Sequence, residues 1–449
     1  SLLDGDVRNN GVARYRGLAS KHFDITALEE ENGIMRLDAV TMSAGIKLWI
    51  RALHRCHSDG KETDCVKETS VDGREIRTRF TFNAGEGKTV RLEKIMTLHT
   101  SLDMDTDNPQ SASTRSLDHI GSWDSLFKAH SRAWADLWDK ADIIIKGDRF
   151  TQRTVRLYIY HLLTSASPHN TLIDAGITAR GLHGEAYRGH IFWDELFIHP
   201  FYQLHFPDVA KAFLMYRYRR LDEARENARK GGHAGAFYPW QSAADGKEET
   251  QRYNFNPISA DWDPDRSRNQ KHVSFAIAYC IWTYYYTTND LPFMHDHGSE
   301  MLIEIARFWV SLARYDEDEK RYHIDGVMGP DEFHERYPDG RFGLAEGLRD
   351  NAYTNIMVSW LLHKTIQTIE HLPGDVTSRL EEKIGFRQEE MESWRHVSRE
   401  MNVAAGSDGL LEQFDGFHGL KEIDWLYYRE KYGDIRRMDR IIKAECDSP

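Results

Sequence analysis

Three short segments of this 449-residue chain concentrate the side chains that chemistry requires, each interrupted by glycine or proline. The first, residues 180–194, reads Arg-Gly-Leu-His-Gly-Glu-Ala-Tyr-Arg-Gly-His-Ile-Phe-Trp-Asp. Aromatic faces beside carboxylates suit a sugar ring, whose C–H face stacks while its hydroxyls bond to the acid. A Gly-rich turn entering a helix, with Trp193 in the core, accounts for the same residues. The second, residues 235–246, sets Trp240 beside the amide of Gln241 and runs on into Lys247-Glu248-Glu249-Thr250; its plain alternative is a surface loop with a buried tryptophan. The third is Gly329-Pro330-Asp331-Glu332-Phe333-His334-Glu335, followed by Asp350-Asn351-Ala352-Tyr353-Thr354-Asn355. Three carboxylates within five residues raise at least one pKa by mutual repulsion, as a general acid at neutral pH requires. A solvated acidic turn is the competing reading.

Other catalytic signatures are missing from the sequence. It has no GxGxxG after a strand pattern, no P-loop, no GxSxG elbow and no HExxH; His334-Glu335 lacks a second histidine at the required spacing. Neither a metal site nor an organic cofactor is expected.

The elements that carry these segments change character along the chain. Residues 1–118 read as β-structure. Apolar and polar residues alternate over 46–51 and again over 76–82. A Gly85-Glu86-Gly87-Lys88 turn then leads into Val90, Leu92 and Ile95, and predicts a hairpin. Residues 105–118 are rich in Asp, Asn, Ser and Thr and read as a connection. From Ser122 the period becomes helical, with Trp123, Leu126, Phe127, Ala129, Trp134, Leu137 and Trp138 on one stripe. Helical patterns follow at 157–163, 209–218, 275–286, 301–312, 356–369 and 376–399, in pairs separated by Gly-, Pro- and Asp-rich loops. Pattern alone supports a β-domain followed by an all-α domain.

Composition limits the partners. A chain of this length exceeds one compact core, so two domains are the default. Net charge is −13, 40% of residues are hydrophobic, 12% are aromatic, and mean hydropathy is −0.62. Acidic and basic residues are mixed, which argues against a nucleic-acid surface. No run of about 18 apolar residues predicts a membrane span. Cys56, Cys65, Cys280 and Cys446 show no disulfide or zinc spacing. They are expected to be free thiols, which fits a reducing, cytoplasmic location.

At its three chemical segments the chain resembles glycoside hydrolase family 65, which contains inverting disaccharide phosphorylases for maltose, trehalose, kojibiose and nigerose and a minority of hydrolases. The family pattern G-x-x-G-E-x-Y-x-G-H-x-F-W-D is met at Gly181, Gly184, Glu185, Tyr187, Gly189, His190, Phe192, Trp193 and Asp194. Tyr238 to Ser242 resembles its Y-P-W-E/Q-S, and the third segment resembles its G-P-D-E-Y/F-H-E followed by D-N-A-Y-T-N.

The resemblance implies an α+β multidomain chain: residues 1–118 the later part of a β-supersandwich, 119–149 a helical linker, and 150–449 most of an (α/α)6 barrel. It also implies that a K-Q-A-D segment and the last barrel helices lie beyond Pro449, and the start at Ser1 implies an N-terminus cut short. By the same resemblance Glu332 is the general acid and Trp193, Asp194, Trp240 and Gln241 hold the non-reducing glucose. Residues 268–274, with Lys271 and His272, shape the acceptor subsite. The expected reaction is phosphorolysis of an α-glucosidic disaccharide or oligosaccharide with inversion, inorganic phosphate being a co-substrate. Inverting hydrolysis of a kojibiose- or trehalose-type substrate is the alternative, and a non-catalytic sugar-binding or assembly module a further one. A homodimer is a compatible assembly.

Overall fold

A computed structural model of the chain describes residues 2–4, 22–42, 44–63, 65–181, 186–337 and 339–445. These residues fall into two compact units, one over 2–175 and one over 176–181 and 187–445. Gly184 and Glu185 of the first motif, and Cys446, lie outside the described residues. Cys56, Cys65 and Cys280 are free thiols, and no described helix is long and apolar enough to cross a membrane.

The first unit is built on two antiparallel sheets. One orders β1 (Leu2–Asp4), β7 (Glu75–Thr81) and β6 (Val66–Asp72) with β7 in the middle. The other runs β2 (Phe23–Glu31), β3 (Ile34–Thr41), β4 (Lys47–Ser58) and β5 (Lys61–Glu62), and β8 (Val90–Thr100) pairs along β4. Met35, Leu37, Ala39 and Ala52 of the larger sheet bury with Ile76 of the smaller one, so the two share a sandwich core. On the opposite face of the larger sheet Arg51, fully buried, is paired with Asp38.

Three helices follow: α1 (Pro109–Asp118), α2 (Trp123–Ala141) and α3 (Arg149–Ser165). Two sequence expectations are corrected here. Residues 105–118 are not merely a connection. Asn108 caps the backbone of Ser111 and Pro109 occupies the first turn, a start signal that a run of serines and threonines disguised. Nor do β7 and β8 form a hairpin. The turn at Gly85–Lys88 is present, but it carries the chain from one sheet to the other, so its flanking strands pair with β6 and β4 instead. The apolar stripe of α2 also stays largely exposed, Trp123 at 46% and Phe127 at 54%.

The second unit is helical. α4 (Glu195–His205), α5 (Pro207–Tyr218) and α6 (Leu221–Lys230) lead through a small hairpin, β9 (Tyr253–Asn256) and β10 (Asp261–Pro264), to α7 (Val273–Thr288). A single turn, α8 (Leu291–Phe293), passes through a π-bulge at Met294–Gly298 into α9 (Ser299–Leu312). The hairpin β11 (Arg314–Asp316) and β12 (Arg321–His323) precedes α10 (Ala352–Glu370), α11 (Gly374–Ile384), α12 (Glu389–Glu400), α13 (Trp425–Tyr432) and α14 (Met438–Ala444).

α4, α7 and α10 lie side by side, and α5, α9 and α12 pack behind and between them. This is the alternating inner and outer arrangement of an α/α barrel. α7 is buried on nearly every side of its first half, as its almost unbroken apolar sequence requires. Phe275 of α7 stacks on Trp309 of α9 with centroids 4.2 Å apart. The helix expected over 376–399 is two helices, because Gly385 takes φ 61° and closes α11 before α12 begins. Phe197 and Leu204 of α4, Tyr286 of α7 and Ile356 of α10 are exposed.

Asp38→Ala tests the packing of the first unit. It leaves the Arg51 guanidinium buried without its carboxylate, so urea denaturation should show a loss of about 3–5 kcal/mol. A loss below about 1 kcal/mol would mean that water reaches Arg51.

Candidate functional site

All seven side chains expected to act, Trp193, Asp194, Trp240, Gln241, Lys271, His272 and Glu332, belong to the helical unit. The first segment enters α4. Glu195, at its first position and 2% exposed, binds the Nε of Arg217 on α5 at 3.0 and 3.3 Å. Arg217 also donates to the carbonyl of Phe192 at 3.3 Å. Trp193 and Asp194 are thereby fixed between two anchored residues. Asp194 stands at the N-cap of α4, and its side chain makes no capping bond across the first turn. Burial raises its carboxyl above the usual range, with Arg180 opposing.

The second segment is tied to the first by a two-way backbone bridge between Ile191 and Ser242, at 2.9 and 3.0 Å. Tyr216 of α5 bonds the Ser242 hydroxyl at 2.9 Å, and Tyr238 donates to the carbonyl of Arg217 at 3.1 Å. Glu248 accepts the backbone N–H of Trp240 at 2.9 Å and of Gln241 at 3.1 Å. Gln241 bonds to His190 of the first segment.

His272, at the start of α7, is where these segments meet. Its ring lies 4.6 Å from Trp193, 5.2 Å from Trp240 and 5.9 Å from Tyr353 of α10. Burial lowers its pKa to about 3, so the ring is neutral at working pH. Lys271 beside it is lowered to about 8, again by burial, with Glu248 opposing. Its ammonium lies 5.2 Å from the Phe237 ring. Burial raises Tyr353 to about 12, so it is a neutral donor.

The third segment supplies two acids in different environments. Burial raises the Glu332 carboxyl; a hydrogen bond from Gln270 opposes the shift, and the charges of Asp194, Asp265 and Asp331 reinforce it. The Asp194 charge is thus one of those that bear on Glu332. Glu335, 6% exposed, is instead held by Arg266 at 3.1 Å and by Lys443. Glu332 has φ 60°, a left-handed conformation rare for a side chain of its size.

Asp350-Asn351 plays a different part from the acidic turn it accompanies. Asp350, fully buried, accepts from the backbone of Ile324 and the side chains of His323, Asn355 and Asn402 at 2.6–3.1 Å. Asn351 caps α10 through Thr354 at 3.1 Å and donates to the carbonyl of Gln413 at 3.1 Å. The site therefore holds one carboxyl biased toward its neutral form, aromatic faces, a neutral imidazole and several fixed hydrogen-bond groups. Sequence reasoning gave no individual part to Gln270, Glu248 or Tyr353, although Gln270 lies in the 268–274 loop, Glu248 directly after the second segment and Tyr353 in the D-N-A-Y-T-N run.

Gly329 shows how closely the acidic loop is fitted. A Cβ there would meet Asn351 Nδ2 at 2.3 Å. Gly329→Ala should displace the loop or break the α10 cap, costing about 1–2 kcal/mol in denaturation. In the full-length protein it should lower turnover more than about tenfold, because small misplacements of reacting groups are costly. Parental stability and turnover together would show that the loop tolerates the shift.

Comparison with known proteins fits this geometry. Residues 1–137 match the model of the glycosyl hydrolase family 65 N-terminal domain, and residues 156–449 that of the family's central catalytic domain. An uncharacterized glycosyl hydrolase of Mycobacterium tuberculosis is 43% identical over 100% of this chain and 34% of its own length. Trehalose 6-phosphate phosphorylase of Lactococcus lactis is 35% identical over 100% of this chain and 55% of its own. Kojibiose phosphorylase of Halothermothrix orenii is 33% identical over 97% and 55%. The chain thus spans a third to about half of the length of these relatives. A solved human-microbiome protein, provisionally named kojibiose phosphorylase, superposes with a TM-score of 0.76 at 22% identity, covering 98% of this chain and 54% of that one, and shows the shared fold. With both domain models matched in order along its length, the chain belongs to glycosyl hydrolase family 65.

Proposed function

We propose that this chain carries the acid and the glucose subsite of an inverting enzyme that cleaves an α-glucosidic bond by phosphorolysis. The observation that carries this reading is the contrast between Glu332, raised by burial and by the charges of Asp194, Asp265 and Asp331, and Glu335, neutralised by Arg266 and Lys443. An acid must hold its proton until the leaving oxygen needs it, and Glu332 is the one biased that way. Trp193 offers a face for the sugar ring and Asp194 and Gln241 offer groups for its hydroxyls, while the neutral His272, 1% exposed, packs behind Trp193 and Trp240. Lys271 stands beside His272 toward the acceptor side.

In this reading the C1–O bond of glucose breaks as Glu332 donates its proton to the departing sugar oxygen. A phosphate oxygen attacks C1 from the opposite face through an oxocarbenium-like transition state. The products are β-glucose 1-phosphate and the released sugar. Phosphate supplies the nucleophile itself, so no second carboxylate has to activate water. Phosphorolysis is preferred because two of the relatives above are named phosphorylases. Hydrolysis is retained because the 43% identical mycobacterial relative is named a glycosyl hydrolase; it would release β-glucose.

In the full-length protein Glu332→Gln should lower turnover by about 10³-fold or more while sugar binding survives, since only the transition-state role is lost. Near-parental turnover would remove Glu332 from the role and bring Glu335 forward. The parent should fall in kcat/KM as pH rises through the raised pKa of Glu332, because the proton is then lost before catalysis, and Glu332→Gln should lack that limb. Cleavage should require inorganic phosphate and yield β-glucose 1-phosphate. Full-rate cleavage in phosphate-free buffer would establish hydrolysis instead.

A further inference from the structure

The β11–β12 hairpin carries a group of side chains that the sugar cleft does not use. One donor atom each from Asp316, Glu319 and His323 lie within 4.8 Å of one another. Acidic residues at a hairpin tip are common and would mean little alone. His323 is what sets this group apart. It is 1% exposed, and its Nδ1 lies 2.6 Å from Asp350 Oδ2. A carboxylate only accepts, so Nδ1 carries a proton toward Asp350, the arrangement found behind a histidine that ligates through Nε2. Nε2 is buried, makes no hydrogen bond, and lies 3.2 Å from Glu319 Oε2.

A carboxylate oxygen and a ring nitrogen at that distance are favourable only with something positive between them. A proton on Nε2 would do so, but the two atoms are not aligned as a hydrogen bond. A metal would also do so. Ligand atoms at about 2.0–2.2 Å from a tetrahedral zinc are about 3.3 Å apart, close to the observed separation. The carboxylate on Nδ1 is the outer partner that metal-bound histidines use to fix ring and tautomer. Asp350 is itself immobilised by Ile324, Asn355 and Asn402.

The surroundings are also short of positive charge. Asp316, Glu319, Asp325, Asp350 and Asp415 gather here against the guanidinium groups of Arg314 and Arg349. Arg314 stands off at 3.7 Å from both Asp316 and Asp325. The backbone N–H groups of Asp318 and Glu319 orient Asp316 through Oδ1, and Oδ2 has only the more distant Arg314 at 3.7 Å. Glu319, whose side chain is 58% exposed, can swing to close the set.

We propose that Asp316, Glu319 and His323 bind one divalent cation of the zinc class, with water completing the shell and Asp350 as the carboxylate behind the histidine. The buried imidazole argues against calcium or magnesium, which take oxygen ligands. The site is independent of the sugar cleft and its reaction. It would clamp the hairpin onto Asp350, the residue next to the Asn351 cap of α10.

The test uses the full-length protein stripped with a chelator and titrated with zinc ion by calorimetry. A parallel titration with cobalt(II) is followed by visible absorption. The parent should bind one zinc per chain and give the intense visible bands of tetrahedral cobalt. Glu319→Gln, at an exposed position that leaves the fold intact, should weaken zinc at least about tenfold and abolish those bands. Glu317→Gln, on the same hairpin with an 80% exposed side chain, should change neither. Absence of one-to-one zinc binding in the parent would overturn the proposal. So would zinc affinity or cobalt bands unaltered by Glu319→Gln, which would trace the binding to other histidines.

Discussion

The two loops that carry Trp193, Asp194, Trp240 and Gln241 depend on one buried ion pair. Arg217 of α5 and Glu195 of α4 are 1% and 2% exposed and bond at 3.0 Å. The same guanidinium holds the carbonyl of Phe192, and the same residue's carbonyl holds Tyr238. One side chain and its backbone therefore fix both the Phe-Trp-Asp turn and the Tyr-Pro-Trp-Gln loop. Such a pair contributes little net stability, because desolvating two charges offsets most of their attraction. What it supplies is definition. Burial raises the Glu195 carboxyl and Arg217 opposes that shift, so each charge is tolerable only while the other is in place. The loops are held in one arrangement instead of several.

Around that frame similar side chains are given unlike chemistry by their settings. Glu332 and Glu335 lie three residues apart, yet one is raised by partial burial and nearby carboxylates and the other is clasped by two cations. His272 and His323 are both buried. The first is surrounded by rings and stripped of charge, whereas the second is fastened to Asp350. Asp194 and Asp350 are both acids in family motifs, yet Asp194 makes no capping bond to its helix while Asp350 is consumed by structural bonds.

These differences mark how far the sequence could be read. Helix positions followed from period, since α5, α7, α9 and α10 bury stripes that repeat in sequence. The chemical loops were legible because Trp, Asp, His and Gly are rarely packed together without cause. Strand pairing was not legible: the glycine turn after β7 looks like a hairpin turn whether the next strand stays in the sheet or crosses to the other. The split between α11 and α12 hinged on one left-handed glycine. The particular roles of Gln270 and Glu248 were not legible because they arise from folding, which brings Gln270 to Glu332 across 62 positions. The histidine of the β11–β12 hairpin escaped for the same reason, since its partner Asp350 lies 27 residues on.

The left-handed backbone at Glu332 bears on how such a protein can drift. A non-glycine residue in that region carries a strain of roughly 1–2 kcal/mol, and the raised carboxyl adds to it whenever it ionises. The fold itself would be better served by glycine or asparagine at this position. Selection for stability alone would therefore discard the acid first and keep the cleft around it. A lineage relieved of the need to turn over sugar would be expected to become sturdier and inert by the same single change, leaving a sugar-shaped hollow in an intact protein.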